Sequence, residues 1–185
     1  TGEGGMVVTN DDKVDEKIRL LRDHGMSKSR RYWHSELGYN YRMTNLQAAI
    51  GVAQMDKIRS IISKKKKIAH SYSENLKGIK GVILPPEMPW ANNVFWLYTI
   101  IVDEEVSGFS VKEIEHDCKE RGIDTRRFFP PLHRQPIYKT GEKLPVSEKI
   151  SSRGISLPSA PVLRTTEIER VCSVIRRLAQ KTILS

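Results

Sequence analysis

The sequence predicts an α/β protein in two parts: a helix-rich leading part, then a compact lobe with an antiparallel sheet covered by helices. Three observations carry this. A capped apolar helix opens at Thr44, an aromatic and β-branched run fills residues 95–102, and an amphipathic helix closes the chain. At 185 residues, with 38% hydrophobic and 29% charged residues, the chain reads as globular. No apolar run is long enough to cross a bilayer, and no basic-then-apolar leader opens the sequence, so the expected setting is cytoplasmic, without a membrane partner.

A Gly-rich turn leads to Met6-Val7-Val8-Thr9, a β-rich run expected as a short strand and stopped by Asn10-Asp11-Asp12. Val14, Ile18 and Leu21 then recur at helical spacing, and His24-Gly25 supplies a stop. Residues 26–37 form a polar loop without periodicity. Thr44 and Gln47 make a T-x-x-Q capping box, and Leu46, Ala48, Ala49, Ile50, Val52 and Ala53 are apolar on several faces. Further along, one stripe remains, so a single long helix leaving one lobe for another is expected. A domain boundary is placed at Lys77-Gly78, dividing the chain into residues 1–77 and 78–185.

Past that boundary, Val82-Ile83-Leu84 reads as a strand closed by Pro85-Pro86, and residues 95–102 as the strongest strand of all. Ser110 and Glu113 form a second capping box, with Val111, Ile114 and Cys118 on one face and Gly122 at the end. Residues 123–129 read as a strand broken by Pro130-Pro131, a Pro/Gly-punctuated stretch follows, and Thr165 or Thr166 starts the last helix, carrying Ile168, Val171, Ile175 and Leu178. Cys118 and Cys172 fall on apolar stripes and read as reduced core residues.

The formal charge of +9 raises the question of nucleic acid. The basic residues are dispersed, and the one run, Lys64-Lys65-Lys66-Lys67, reads as a solvated helix surface, so no nucleic-acid partner is expected. The five histidines have no metal-ligand spacing, and Gly2-Glu3-Gly4-Gly5 precedes a strand where a dinucleotide fingerprint would follow one. By residue types alone, the chemistry concentrates at Gly38-Tyr39-Asn40-Tyr41-Arg42-Met43-Thr44. There Asn40 and Arg42 sit beside a helix N-terminus suited to an anion.

That word, Thr1-Gly2-Glu3-Gly4-Gly5 upstream, Phe128-Phe129-Pro130-Pro131-Leu132-His133-Arg134-Gln135-Pro136-Ile137-Tyr138, and Arg153-Gly154-Ile155-Ser156-Leu157-Pro158-Ser159 together resemble the DegT/StrS family of PLP-dependent nucleotide-sugar aminotransferases. The resemblance implies the C-terminal part of fold type I, the aspartate aminotransferase fold: the end of the large domain plus a small α/β domain. It implies a homodimer with shared active sites, pyridoxal 5′-phosphate as cofactor, and transfer of an amino group from glutamate to a nucleotide-linked keto-deoxysugar for surface polysaccharide. By the same resemblance Asn40 and Arg42 serve the cofactor phosphate, while Arg31, Tyr32, His34, Arg126 and His133 serve the substrate. Trp33, Phe128 and Phe129 read as packing residues, and Trp96 and Tyr98 as core residues or the border of the pocket. The family's Schiff-base lysine precedes the T-G-E-G-G word, so no catalytic residue is assigned here and the chain alone is expected to be inactive. A non-catalytic sugar-nucleotide-binding or scaffold domain, and the family's PLP-dependent sugar dehydratase variant, stand as alternatives.

Overall fold

The computed structural model describes residues 1–138 and 141–184, with the side chains of residues 183 and 184 left aside. The chain forms two compact units, Thr1–Ile58 and Arg59–Ser185.

In the first unit, helix α1 spans Asp12–Leu21, and Asp11 caps it by accepting from the Lys13 and Val14 amides at 2.8 and 3.3 Å. It stops as the sequence suggests: His24 and Gly25 turn left-handed, and the Gly25 N–H bonds the Leu20 carbonyl at 2.9 Å. The expected strand at residues 6–9 does not form. Met6, Val7 and Val8 are exposed, and β-branched residues make a strand only where a neighbour accepts the backbone bonds, which none of the described residues does. Helix α2 spans Asn45–Leu76 and opens with the expected box, the Gln47 amide donating to Thr44 Oγ1 at 3.3 Å and the Thr44 amide to Gln47 Oε1 at 2.9 Å. Its first turns leave Leu46 80%, Val52 64% and Met55 65% exposed, an apolar surface with no covering in its own unit.

In the second unit, α2 buries Ile68, Ala69, Tyr72 and Leu76. Strands β1 (Val82–Ile83), β2 (Tyr98–Val102), β3 (Arg126–Arg127) and β4 (Gly154–Leu157) form one antiparallel sheet in the order β1-β2-β4-β3. Register is set by Tyr98 opposite Leu157 and Arg126 opposite Ser156. A single-turn helix α3 (Glu104–Ser107) and α4 (Val111–Lys119) follow β2. The Ser110–Glu113 box opens α4, and Gly122 turns left-handed beyond its end. Helices α5 (Pro145–Arg153) and α6 (Thr165–Leu184) flank β4. The core joins Val111, Ile114 and Cys118 of α4 to Ile168, Val171, Cys172, Ile175 and Leu178 of α6. Burial pushes the Cys118 thiol up to about 11 and that of Cys172 to about 12, so both are inert core residues. Tyr72 and Tyr98 stack at 4.9 Å, each hydroxyl satisfied, by the Pro158 carbonyl and Ser73 respectively.

Four further features differ from the sequence reading. The strand expected over residues 123–129 is confined to Arg126–Arg127, because the Ile123 amide closes the end of α4 on the Cys118 carbonyl at 2.9 Å. The strand expected from residue 95 starts only at Tyr98. Phe95 takes a left-handed φ of 50° with its amide bonded to Asn93 Oδ1, and the Trp96 carbonyl accepts from Lys65, so neither joins the ladder. The lysine run is only partly solvated. Lys65 Nζ donates to the carbonyls of Trp96 at 2.7 Å and Ser159 at 2.6 Å, and Lys66 bonds Asn92. Burial holds the Lys65 ammonium below its ordinary range. Within the Pro/Gly-punctuated stretch lie a whole helix, α5, and β4, a strand buried along its length and paired on both edges.

Candidate functional site

The loop between α1 and α2 is a clasp. Its two arms exchange backbone bonds: His24 N–H to the Tyr39 carbonyl at 2.9 Å, Tyr39 N–H to Leu21 at 2.7 Å, Tyr41 N–H to Arg22 at 2.9 Å and Ser35 N–H to Gly25 at 3.0 Å. Glycine is required where the arms touch. A Cβ on Gly38 would lie 2.0 Å from the Gly25 nitrogen, and one on Gly25 would lie 2.1 Å from the Glu36 carbonyl oxygen. Lys17 of α1 pairs with Glu36 and ties the clasp to that helix.

Asn40 sits in the paired part of the clasp, opposite Asp23. Tyr39 and Tyr41 stack with ring centroids 5.1 Å apart and planes 11° from parallel. In an extended segment alternate side chains share a face, so the Asn40 amide points away from the tyrosine pair. It is exposed and makes no hydrogen bond among the described residues. Arg42 Nε lies 3.4 Å from Asp23 Oδ1, a buried oxygen with no hydrogen bond among the described residues, so the nearby guanidinium charge is its compensation. The first turn of α2 carries no acidic residue. A neutral donor, a tethered guanidinium and an unopposed helix N-terminus thus follow one another in eight residues, a donor set that suits a phosphate.

Arg31, Tyr32 and His34 occupy the outer arm. Tyr32 holds a strained left-handed φ of 62°, and the Arg31 guanidinium lies 4.9 Å from its ring centroid. His34 Nδ1 donates to the His24 carbonyl at 2.9 Å, which leaves Nε2 as the free ring nitrogen. Trp33 is half-exposed beneath Arg30, 4.2 Å away.

The other two predicted residues belong to the second unit. Arg126 is on edge strand β3, its guanidinium 5.7 Å from the Phe129 centroid. His133 is buried, and its Nε2 lies 2.9 Å from Glu148 Oε1, while Arg134 donates to Glu148 Oε2 at 2.6 Å. Nε2 is therefore spent inside the protein, and Nδ1 is the nitrogen left for another partner. Tyr98 is a core residue, while Trp96 and Phe129 are substantially exposed, 69% and 46%. Asp23, Lys65 and Glu148, which hold Arg42, Trp96 and His133, were missed by sequence reasoning. Each lies far along the chain from the group it serves and carries no motif of its own. No group of three or more His, Cys, Asp or Glu among the described residues can hold a metal, and none of the described helices is long and apolar enough to cross a membrane.

Arg134, then His133, hold the Glu148 carboxyl down from 4.5 to about 2. A carboxylate with a depressed folded pKa contributes stability above its unfolded pKa and loses it as pH falls through the folded one. Urea midpoints for the native chain and Glu148→Gln should therefore differ constantly above about pH 5 and converge between 4.5 and about 2. A difference independent of pH down to the lower limit would contradict this linkage.

A sheet-and-helix unit of this topology belongs to the PLP transferases of fold type I. The chain is a member of the DegT/DnrJ/EryC1/StrS aminotransferase family, which matches residues 1–176 and whose enzymes depend on pyridoxal phosphate. It is 39% identical over 184 residues to GDP-perosamine synthase of Vibrio cholerae, covering 95% of this chain and 48% of that protein. The corresponding enzyme of Caulobacter vibrioides is 36% identical over 178 residues, with the same coverage of 95% and 48%. Among solved structures, S. venezuelae DesV superposes with a TM-score of 0.83 at 30% identity, over 94% of this chain and 46% of that one. The chain thus spans about half the length of the curated relatives it matches.

Proposed function

We propose that this chain is part of a PLP-dependent aminotransferase that moves an amino group from glutamate to a nucleotide-linked 4-keto-6-deoxysugar. The observation that carries the reading is the Asn40 amide, presented on a rigid clasp without an internal partner and followed by Arg42 and the α2 N-terminus. The relatives of highest identity quoted above act, by name, in GDP-perosamine synthesis, which favours a GDP-linked substrate and a role in surface polysaccharide. The cytoplasm, where nucleotide sugars are made, is the proposed location.

In this reading residues 1–77 end the large domain and carry its interdomain helix, and residues 78–185 form the small domain. Asn40 donates to the cofactor phosphate held by a sister subunit, and Arg42 adds charge from its tether on Asp23. The exposed apolar face at Leu46, Val52 and Met55 fits a helix that packs against further large-domain or partner structure. Arg31, Tyr32 and His34 face the substrate from the clasp. Arg126 and His133 do so from the small domain, His133 through Nδ1. When bound, pyridoxal phosphate supplies the electron sink for the amino transfer. No lysine of this chain is assigned to the Schiff base, so residues 1–185 alone are proposed to be inactive.

The test supplies the complete subunit with glutamate and a GDP-4-keto-6-deoxysugar. The expected products are 2-oxoglutarate and a sugar nucleotide that has exchanged its keto oxygen for an amino group. Recovery of unaltered sugar would overturn the reading, and a dehydrated, nitrogen-free sugar would replace it with the dehydratase variant.

A further inference from the structure

The second unit carries an exposed aromatic pair that its own core does not need. Trp96 and Phe129 stand with ring centroids 6.3 Å apart and planes 9° from parallel, and they remain 69% and 46% exposed. Arg126 lies over Phe129 and makes no ion pair among the described residues, whereas its neighbour Arg127 is engaged by Glu115 at 3.3 Å. An open depression of about 900 Å³ adjoins the Phe129 side of the pair, lined by Arg126, Arg127, Phe128 and Pro130 and also by the carboxylates of Glu115 and Asp124.

The platform is held in place. Lys65 Nζ bonds the Trp96 carbonyl at 2.7 Å and the Ser159 carbonyl at 2.6 Å, anchoring the segment before β2 to the segment after β4. The Ser151 hydroxyl donates to the Phe129 carbonyl at 2.9 Å, which fixes the other ring from α5. Two exposed rings tethered through their backbones, next to an unpaired guanidinium, form a pre-organised surface.

We propose that Trp96 and Phe129 stack the nucleobase of a nucleoside diphosphate, with Arg126 on the adjoining phosphates. The inference rests on the nucleotide-sugar reading above and names the part of the chain that takes the nucleotide. Size argues against a protein partner. Two aromatic side chains offer roughly 300–500 Å² even when fully exposed, short of the ~800 Å² per partner of stable interfaces. A nucleobase needs only π-faces, and a diphosphate needs a cation beside them.

The test uses the PLP-loaded complete subunit and GDP, with ribose 5-phosphate as a probe lacking the base. GDP should quench part of the tryptophan emission saturably, ribose 5-phosphate should not, and the quenched part should vanish in Trp96→Phe. Trp96→Leu and Phe129→Leu should each weaken GDP binding about tenfold and raise the KM for the nucleotide sugar by more than they change kcat. Trp96→Phe should restore most of the affinity while remaining dark. GDP binding by calorimetry that neither quenches Trp96 nor responds to Trp96→Leu would overturn this subsite alone. Absence of any GDP binding to the native protein would overturn the nucleotide-sugar reading with it.

Discussion

Gly38→Ala should open the clasp that presents Asn40. The added methyl would lie 2.0 Å from the Gly25 nitrogen and 2.4 Å from the His24 carbonyl carbon. Both are backbone atoms, so no rotamer change relieves the clash and the two arms must part. A cost on the order of 3 kcal/mol, about a hundredfold in the opening equilibrium, is the expected scale. Hydrogen exchange reads it directly, because the amides of His24, Tyr39 and Tyr41 are among those bonded across the arms. These three should exchange about a hundred times faster, while the amides of β2 and β4 keep their protection. Native protection at all three positions would show that the clasp does not depend on this close approach.

Lys65→Met is expected to have the largest effect on the second unit. The substitution keeps most of the apolar stem and removes the ammonium, leaving the Ser159 carbonyl without its donor and the Trp96 carbonyl with only the long bond from the Ser159 hydroxyl at 3.5 Å. Hydrogen bonds to a charged group contribute about 1.5–3 kcal/mol each, and two made by one ammonium are not additive. A loss of about 3 kcal/mol in urea-measured stability is therefore predicted, with an unaltered m value. Trp96 emission should report a freer indole in the same variant. A midpoint equal to that of the native protein would mean that solvent replaces Lys65 at no cost.

Much of the fold was legible because its signals were local. Two capping boxes, at Thr44–Gln47 and Ser110–Glu113, form as read, and the buried faces of α4 and α6 follow their 3.6-residue periods. What was missed depends on distant partners. Strand β4 offers four residues with only Ile155 and Leu157 as apolar signal, yet it is the strand that β2 and β3 both pair with. The residues 6–9 show the reverse, strong β character without a neighbour. Lys65 looked like one of four equivalent lysines until tertiary structure brought two carbonyls to it.

The candidate site divides in the same way. The word around Asn40 and Arg42 was readable because a tight turn, a donor, a cation and a helix start are contiguous. The side chains that hold the site residues in place were not, since Glu148 lies 15 residues from His133 and serves it only through the fold. Positioning residues carry no motif; their role is geometric.

We propose that the Asn40 amide donates to a cofactor phosphate held by a sister subunit, and the decisive measurement is PLP retention in mixed dimers. One subunit carries Asn40→Ala and the other is native, so each dimer keeps one intact phosphate site. PLP should dissociate about tenfold faster from the native subunit's pocket, which faces the altered clasp, than from the pocket of the altered subunit. Equal rates at the two pockets, or faster loss from the altered subunit's own, would contradict it.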